Sequence, residues 1–251
     1  MAITDDLRIL YDINTEGRSD DAPWDDIASV LGSNNNSPTT YTGDGGYTGL
    51  SYVAASSMSS QFNSGSDYTF PDPGGDGLWT IAARFRSAMT GTGTFASFGY
   101  TVDSGTVILI QLQTTNARMF VRNDADTTAQ IFSGSTYNDD VEHVCCVTYN
   151  GTTYSMTVDG GDTQTVGGTS HAFTIDEGAI GATITGAAAF SEFFDGEVFW
   201  AAAWSRVLSG AEIDELDATP NPFHALTSGV LLRGVQKGLV RSPLINGGLL
   251  G

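Results

Sequence analysis

The chain has 251 residues, of which 40% are hydrophobic, 16% are charged and 31 are glycine. This mixture is too apolar for a disordered chain, and the length suffices for a core that needs no disulfide or metal. The formal net charge of −19 excludes a protein that binds nucleic acid or anionic membranes by electrostatic attraction.

The first half of the chain predicts strands in which apolar and polar residues alternate. Residues 7–13 place Leu, Ile, Tyr and Ile on one face, which is typical of a half-buried strand. Residues 78–86 place four apolar side chains on one face, with Arg84 and Arg86 on the other. Further strands are predicted at 94–100, 105–113 and 117–122.

The clearest local signal is a hairpin over residues 141–158. Asn150-Gly151 separates two β-rich runs, and such a pair favours a type I′ turn in which both central residues have positive φ. The only two cysteines, Cys145 and Cys146, are neighbours in the first run. Because adjacent strand residues point to opposite faces, we expect no disulfide within the chain.

A single short helix is predicted near 210–216. Ser209 and Glu212 have the spacing of a capping box, and Ile213 and Leu216 form its apolar stripe. Many short strands and one helix predict an all-β, two-sheet antiparallel jelly-roll sandwich. The residues expected in its core are Ile81, Phe85, Ile108, Ile110, Val147, Met156 and Val198.

Acidic residues give only a weak match to a catalytic pattern. Glu192, Asp195 and Glu197 come nearest to the acids of a glucanase, but the odd offset between the first two turns them to opposite faces of a regular strand. We therefore interpret them as structural and predict that the chain is not an enzyme. His143 is interpreted as a buried, hydrogen-bonded strand residue rather than as a base or a metal ligand.

No cofactor is predicted, and the metal content is left open. The chain lacks a zinc-type spacing of His and Cys. A structural calcium ion stays an alternative, because calcium prefers several hard oxygen ligands and the loops supply carboxylates. The candidates are Asp72, Asp76, Asp103, Asp124, Asp126, Asp159 and Asp162. The tryptophans, interpreted as core or hairpin residues rather than sugar-stacking rings, are Trp24, Trp79, Trp200 and Trp204.

Five short motifs follow one another along the chain. They are Trp79-Thr80, His143-Val144, Val158-Asp159-Gly160, Phe194-Asp195-Gly196-Glu197-Val198 and the run from Trp204 to Ile213. In this order they resemble the laminin-G-like branch of the concanavalin A-like lectin/glucanase superfamily, over about residues 7–223. The resemblance implies a jelly-roll sandwich. Asn221-Pro222-Phe223 resembles the ending of such domains on tailed-phage structural proteins, which implies a place in a virion.

Residues 224–251 are predicted to form an extended docking or oligomerisation tail after a sandwich domain at 1–223. The domain carries 7 basic and 29 acidic side chains, a net −22, whereas the tail carries +3 and no acid. Short apolar runs after glycines in the tail can add to a sheet edge of a partner. The expected partners are capsid or tail proteins, or copies of the chain itself. The candidate docking residues are Leu231, Leu232, Arg233, Lys237, Leu239, Val240, Arg241, Leu244, Ile245, Leu249 and Leu250.

The sequence leaves three functional hypotheses. The first is a non-enzymatic phage virion structural protein, a capsid decoration or fibre component that displays a lectin-like domain. The second is a glycan-binding adhesin for a host surface, and a polysaccharide hydrolase or lyase ranks last. The first ten residues lack the basic and apolar segments of a secretory signal, and no apolar run reaches transmembrane length. We therefore expect assembly in a host cytoplasm and location in the virion, without nucleic-acid binding or membrane insertion.

Overall fold

The computed structural model describes residues 7–223, apart from 13–24, 27–30, 36–38, 43–47, 64–76, 100–105, 124, 169–176 and 186–188. The predicted tail and its candidate docking residues lie outside the described residues. In chain order the strands are β1 (Leu7–Asp12), β2 (Asp25–Asp26), β3 (Leu31–Asn35), β4 (Thr39–Thr42), β5 (Thr48–Tyr52), β6 (Ser59–Asn63), β7 (Trp79–Arg86), β8 (Thr92–Gly99), β9 (Val107–Gln113), β10 (Asn116–Arg122), β11 (Thr128–Thr136), β12 (Glu142–Tyr149), β13 (Thr153–Val158), β14 (Asp162–Gly167), β15 (Glu177–Ile180), β16 (Thr183–Thr185), β17 (Ala189–Ser191) and β18 (Gly196–Trp204). The described helices are a 3₁₀ turn (Ala54–Ser56) and the α-helix α1 (Gly210–Ala218).

The described strands form two sheets and a separate hairpin. The first sheet has the order β14-β13-β12-β7-β18-β1-β2, with β5 beside the start of β18 and β4 beside β5. The second sheet has the order β11-β10-β9-β8-β15-β6-β3, and β16 pairs with β17. The described pairs are antiparallel except for β1 with β2. The predicted all-β, two-sheet sandwich is confirmed, and α1 coincides with the predicted helix within two residues.

The two sheets face each other across an apolar core. All seven residues predicted for the core are fully buried there, which confirms that prediction. Phe85 on β7 stacks on Phe95 on β8 with 4.2 Å between the ring centroids, and Phe194 meets both rings edge-on. Burying one phenyl ring stabilises a fold by roughly 1.5–3 kcal/mol. The three rings therefore fix the start of β18 against both sheets.

A second apolar cluster covers the outer face of the first sheet. Leu216 of α1 packs into this cluster together with Trp200 and Trp204 of β18. The ring centroid of Phe223 lies 5.4 Å from that of Trp200 and 6.2 Å from that of Trp204. Strand β18 is consequently buried on both faces from Val198 to Trp204, and the outer face of the first sheet is closed at β18.

Arg84 ties the end of α1 to the first sheet. Its guanidinium donates to the backbone carbonyl oxygens of Leu216, Asp217 and Thr219 and forms an ion pair with Glu142 at 3.2 Å. A helix end leaves carbonyl groups without intrahelical partners, and a cation there is favourable. This contact explains why Arg84 lies on the outer face of β7, opposite the core, as the sequence predicts.

The turn at Asn150-Gly151 differs from the prediction. Gly151 has a φ of 91°, but Asn150 is not among the residues with positive φ, so the type I′ assignment is wrong. The side-chain oxygen of Asn150 instead accepts hydrogen bonds from the backbone N–H groups of Thr152 and Thr153, at 3.1 and 2.8 Å. An Asx-type turn of this kind uses the asparagine side chain in place of a second positive φ.

The two cysteines face opposite sides of the first sheet, as predicted. Cys145 belongs to the core between the sheets, Cys146 to the outer cluster, and both thiols are free. Burial raises the pKa of Cys146 to about 12. Within the described part of the chain, none of the helices has the length and apolarity needed to cross a bilayer.

Candidate functional site

Among the described residues, the outer face of the second sheet is partly accessible at β10 and exposed at β11, whereas the neighbouring β9 is buried on both faces as far as Leu112. On β10 every second residue is buried, so the others face outward. The strand register aligns Arg118 with Gln111 on β9 and with Phe132 on β11, and it aligns Phe120 with Gln130. We call these five residues the Arg118 face. They come from three strands and lie side by side because antiparallel pairing places directly opposed side chains in contact.

Arg118 lies at the centre of this face and is held from several sides. Its two terminal nitrogens donate to the side-chain oxygens of Gln111, at 2.8 Å, and of Gln130, at 3.0 Å. Its guanidinium carbon lies 4.8 Å from the ring centroid of Phe120 and 5.7 Å from that of Phe132. Both distances are within the range of cation–π attraction. Arg118 is thus fixed in place without a carboxylate within ion-pair distance among the described residues.

Gln111 is oriented by a buried network beneath the face. Its amide nitrogen donates to the hydroxyl of Thr94, at 3.1 Å, and to a carboxylate oxygen of Glu192, at 3.0 Å. Thr183 also donates to that oxygen of Glu192, at 2.9 Å. These bonds use the nitrogen end of the Gln111 amide, so its oxygen end is left to accept from Arg118. Burial lowers the pKa of Arg118, and the nearby Glu192 acts in the opposite direction.

Phe132 is an exposed apolar part of the Arg118 face. It is 41% exposed and is one of three large apolar side chains that the described residues expose. A phenyl ring in water can stack on the apolar face of another ring, and arginine and amide groups bond to oxygen atoms. The face can therefore hold a ligand that combines a flat apolar surface with oxygen acceptors.

The three acids singled out in the sequence do not form one site. Glu192 lies before β18 with a φ of 47° and joins the Gln111 network. Asp195 and Glu197 instead line a cavity of about 280 Å³ beside Asp140 and Ser51. Burial raises the pKa of Glu197, which accepts a hydrogen bond from Ser51 at 3.3 Å.

His143 is buried and hydrogen-bonded, which confirms its interpretation. Its two ring nitrogens lie 2.7 Å from a carboxylate oxygen of Asp159 and 2.8 Å from one of Asp139. Burial alone lowers the pKa of His143, but the two hydrogen bonds outweigh it and the net shift is upward. Tyr137 meets the imidazole edge-on at 4.9 Å, which completes its surroundings on that side.

Of the calcium candidates, three lie among the described residues, and two of these have defined partners. Asp159 binds His143 and the backbone of Val144, while Asp162 accepts from the backbone of Ser135 and from the hydroxyl of Tyr137. Within the described ranges, no group of three or more His, Cys, Asp or Glu residues could hold a metal ion. The candidates outside the described residues are Asp72, Asp76, Asp103 and Asp124.

Sequence reasoning missed the Arg118 face. Trp79, Trp200 and Trp204 are fully buried, as predicted, so they do not offer rings to a sugar. The missed signal is the alternation of Arg118, Phe120 and Arg122 on one face of the strand predicted at 117–122. That alternation alone does not show which residues of the neighbouring strands lie beside them.

Comparisons with known proteins agree on the fold. No family profile and no curated protein matches the sequence. The binding domain of botulinum neurotoxin DC, solved in complex with SialylT, has a TM-score of 0.54 at 9% identity over 75% of this chain and 46% of that one. A variant of the NanB sialidase from Streptococcus pneumoniae has a TM-score of 0.52 at 12% identity, over 66% and 27%. The CBM40 of the IT-sialidase from Ruminococcus gnavus has a TM-score of 0.49 at 14% identity, over 60% and 91%.

These likenesses concern the fold alone, because the sequence identities are low. The chain has a jelly-roll sandwich fold. This agrees with the concanavalin A-like sandwich that the sequence motifs imply.

Proposed function

We propose that the chain is a non-catalytic carbohydrate-binding domain that holds a glycan against the Arg118 face. The observation that carries this proposal is the contrast between the outer faces of β18 and β10. At β18 the first sheet is closed by α1 and Phe223. At β10 the second sheet presents Arg118 between two phenyl rings and two amides. Sugars offer hydroxyl oxygens along their edges and apolar C–H surfaces on their faces, which match the donors and the rings.

The fold supports binding rather than catalysis. The binding domain of botulinum neurotoxin DC, which has a similar fold, was solved in complex with SialylT. Glycoside hydrolysis requires two carboxyl groups across one cleft, roughly 5–9.5 Å apart. The Arg118 face offers one nearby acid, Glu192, whose carboxylate accepts two hydrogen bonds from Gln111 and Thr183. We therefore propose no hydrolase or lyase activity for this face.

A glycan array followed by calorimetry tests the proposal. The wild-type chain should bind a subset of glycans, and Phe132→Ala should weaken binding about tenfold, because an aromatic contact contributes up to about 1.5 kcal/mol. The matched control is Val141→Ala, since Val141 is 54% exposed and belongs to another part of the surface. The control should bind like the wild type. If no glycan binds, or if Phe132→Ala binds as tightly as the control, the proposal is wrong.

We further propose that this binding domain is carried on a phage particle through residues 224–251. The support is the resemblance of Asn221-Pro222-Phe223 to phage domain endings and the position of Phe223 against Trp200 and Trp204, where the sandwich closes. The partner would be a capsid or tail protein, or another copy of the chain. Mass spectrometry of purified particles tests this, and the absence of the chain from the particles would overturn it without affecting glycan binding.

A further inference from the structure

We infer that the Arg118 face selects glycans that carry a carboxylate over neutral glycans, with Arg118 as the residue that contacts the carboxylate. This inference rests on the proposed glycan binding and specifies its ligand class. It follows from three features of Arg118: its unused donors, the absence of an ion-pair partner among the described residues, and its partial burial.

Arg118 retains donors that the protein does not use. An arginine has five N–H groups, and the described contacts of Arg118 use one on each terminal nitrogen. Its buried Nε has no hydrogen-bond partner among the described residues. One N–H on each terminal nitrogen is thus left over, and a carboxylate can accept two such bonds at once. A neutral hydroxyl offers one oxygen rather than two and adds no ion–ion attraction.

Arg118 has no carboxylate within ion-pair distance among the described residues, and Glu192 acts on it only from a longer distance. Arg84, Arg86 and Arg206 each have a carboxylate oxygen within 3.2 Å. Arg118 instead meets the amide oxygens of Gln111 and Gln130, which position a guanidinium without neutralising it. The nearest acid, Glu192, is bound by Gln111 and Thr183. The face therefore contains a fixed guanidinium without an ion-pair partner, and an anionic ligand could supply one.

The rings around Arg118 strengthen such a pair. Phe120 and Phe132 lie within cation–π distance of the guanidinium, which is partly buried, and charges attract more strongly where less water surrounds them. The partial burial of Arg118 lowers its pKa, as expected for a guanidinium that has lost part of its hydration shell. Arginine suits this role because its planar group can stack on rings and bind a carboxylate at its edge.

Matched ligand pairs test the inference. The first pair is 3′-sialyllactose and lactose, which tests a carboxylate on a sialic acid. The second pair is trigalacturonate and its methyl ester, which tests a carboxylate on a uronic acid. In at least one of these pairs, the wild-type chain should bind the carboxylated glycan about tenfold more tightly than the neutral one. This ratio is expected because one charge-assisted hydrogen bond contributes roughly 1.5 kcal/mol. Arg118→Gln should reduce that ratio to about one. Arg86→Gln, which removes an arginine elsewhere on the surface, should retain it.

A second variant tests whether the preference depends on the absence of an ion-pair partner for Arg118. Gln130 is exposed, so Gln130→Glu puts a carboxylate beside Arg118 without disturbing the core. This internal acid should compete with the ligand and abolish the preference, and an unchanged melting temperature would exclude misfolding as the cause. If both members of each pair bind equally, or if Arg118→Gln keeps the preference, the inference is wrong while glycan binding stands. If no probe and no array glycan binds, both proposals fail.

Discussion

Glu212 holds the start of α1, and its charge should set much of the acid stability of the fold. Its carboxylate accepts hydrogen bonds from Arg206 at 3.0 and 2.7 Å, and from the backbone and hydroxyl of Ser209 at 2.8 and 2.7 Å. This is the capping box that the sequence predicts. Glu212→Gln keeps the shape of the side chain and removes its charge, so it isolates the electrostatic part of the cap.

The size of the effect follows from the pKa of Glu212. The hydrogen bond from Arg206, followed by those from Ser209, lowers that pKa from 4.5 to about 2 despite opposing burial. At about 1.4 kcal/mol per unit, the carboxylate stabilises the fold by about 3 kcal/mol at neutral pH. Because the folded-state pKa is depressed, this stabilisation is present above the unfolded-state pKa and is lost as the pH falls toward 2. At about pH 2.5 roughly 1 kcal/mol or less remains.

Urea unfolding near neutral pH and near pH 2.5 measures this contribution directly. Glu212→Gln should be about 2–3 kcal/mol less stable than the wild type near pH 7, and the difference should shrink to about 1 kcal/mol or less at acid pH. The control is Glu215→Gln, an exposed residue of the same helix, which should change stability by less than about 0.5 kcal/mol. A deficit of Glu212→Gln that is equal at both pH values would refute the electrostatic reasoning.

Three more predictions concern His143, the tail and the charge of the domain. The raised pKa of His143 means that its stabilising effect relative to His143→Asn is complete below about pH 6.5 and falls as the pH rises through the folded-state pKa. Melting curves from acid to alkaline pH check this, and an effect that grows with pH would contradict it. Deleting residues 224–251 should leave a folded domain that no longer assembles, which light scattering measures. If the truncated protein is unfolded, the predicted domain boundary at Phe223 is wrong. Binding of 3′-sialyllactose should strengthen as salt rises from about 20 to about 300 mM, because salt screens long-range repulsion by the acidic domain more than a close contact. Calorimetry at both salt concentrations tests this, and a steep loss of affinity would point to a diffuse basic patch instead.

Local patterns were enough to predict most of the fold. Residues 78–86 alternate so regularly that their buried face could be assigned from the sequence, and the core position of Phe85 followed. Ser209 and Glu212 mark the start of α1 because a capping box needs only four consecutive positions. The turn at Asn150 was predicted wrongly, because an asparagine can accept either a positive φ or a side-chain hydrogen bond, and the sequence does not distinguish them.

The candidate site could not be predicted, because it depends on register between strands. Arg118 and Phe132 are 14 positions apart, and they become neighbours only once β10 and β11 pair in one particular alignment. A slip of one residue would send Phe132 to the opposite face of the sheet. Glu192 reaches Gln111 because its backbone leaves the strand conformation, which the alternation argument about the acids did not include.

Strands β18 and β10 differ in whether their outward residues are covered. Strand β18 is apolar at nearly every position, so both of its faces must be covered, and α1 with Phe223 supplies the outer cover. Strand β10 alternates, so its outward residues need no cover and can include Arg118. A continuous apolar strand is thus covered on both faces, as β9 in the second sheet also is, whereas an alternating strand such as β10 can leave one face accessible. Of these two strands, β10 is therefore the one that can offer an outward face to a ligand. Among the described residues, that face holds an arginine without an ion-pair partner beside two phenyl rings.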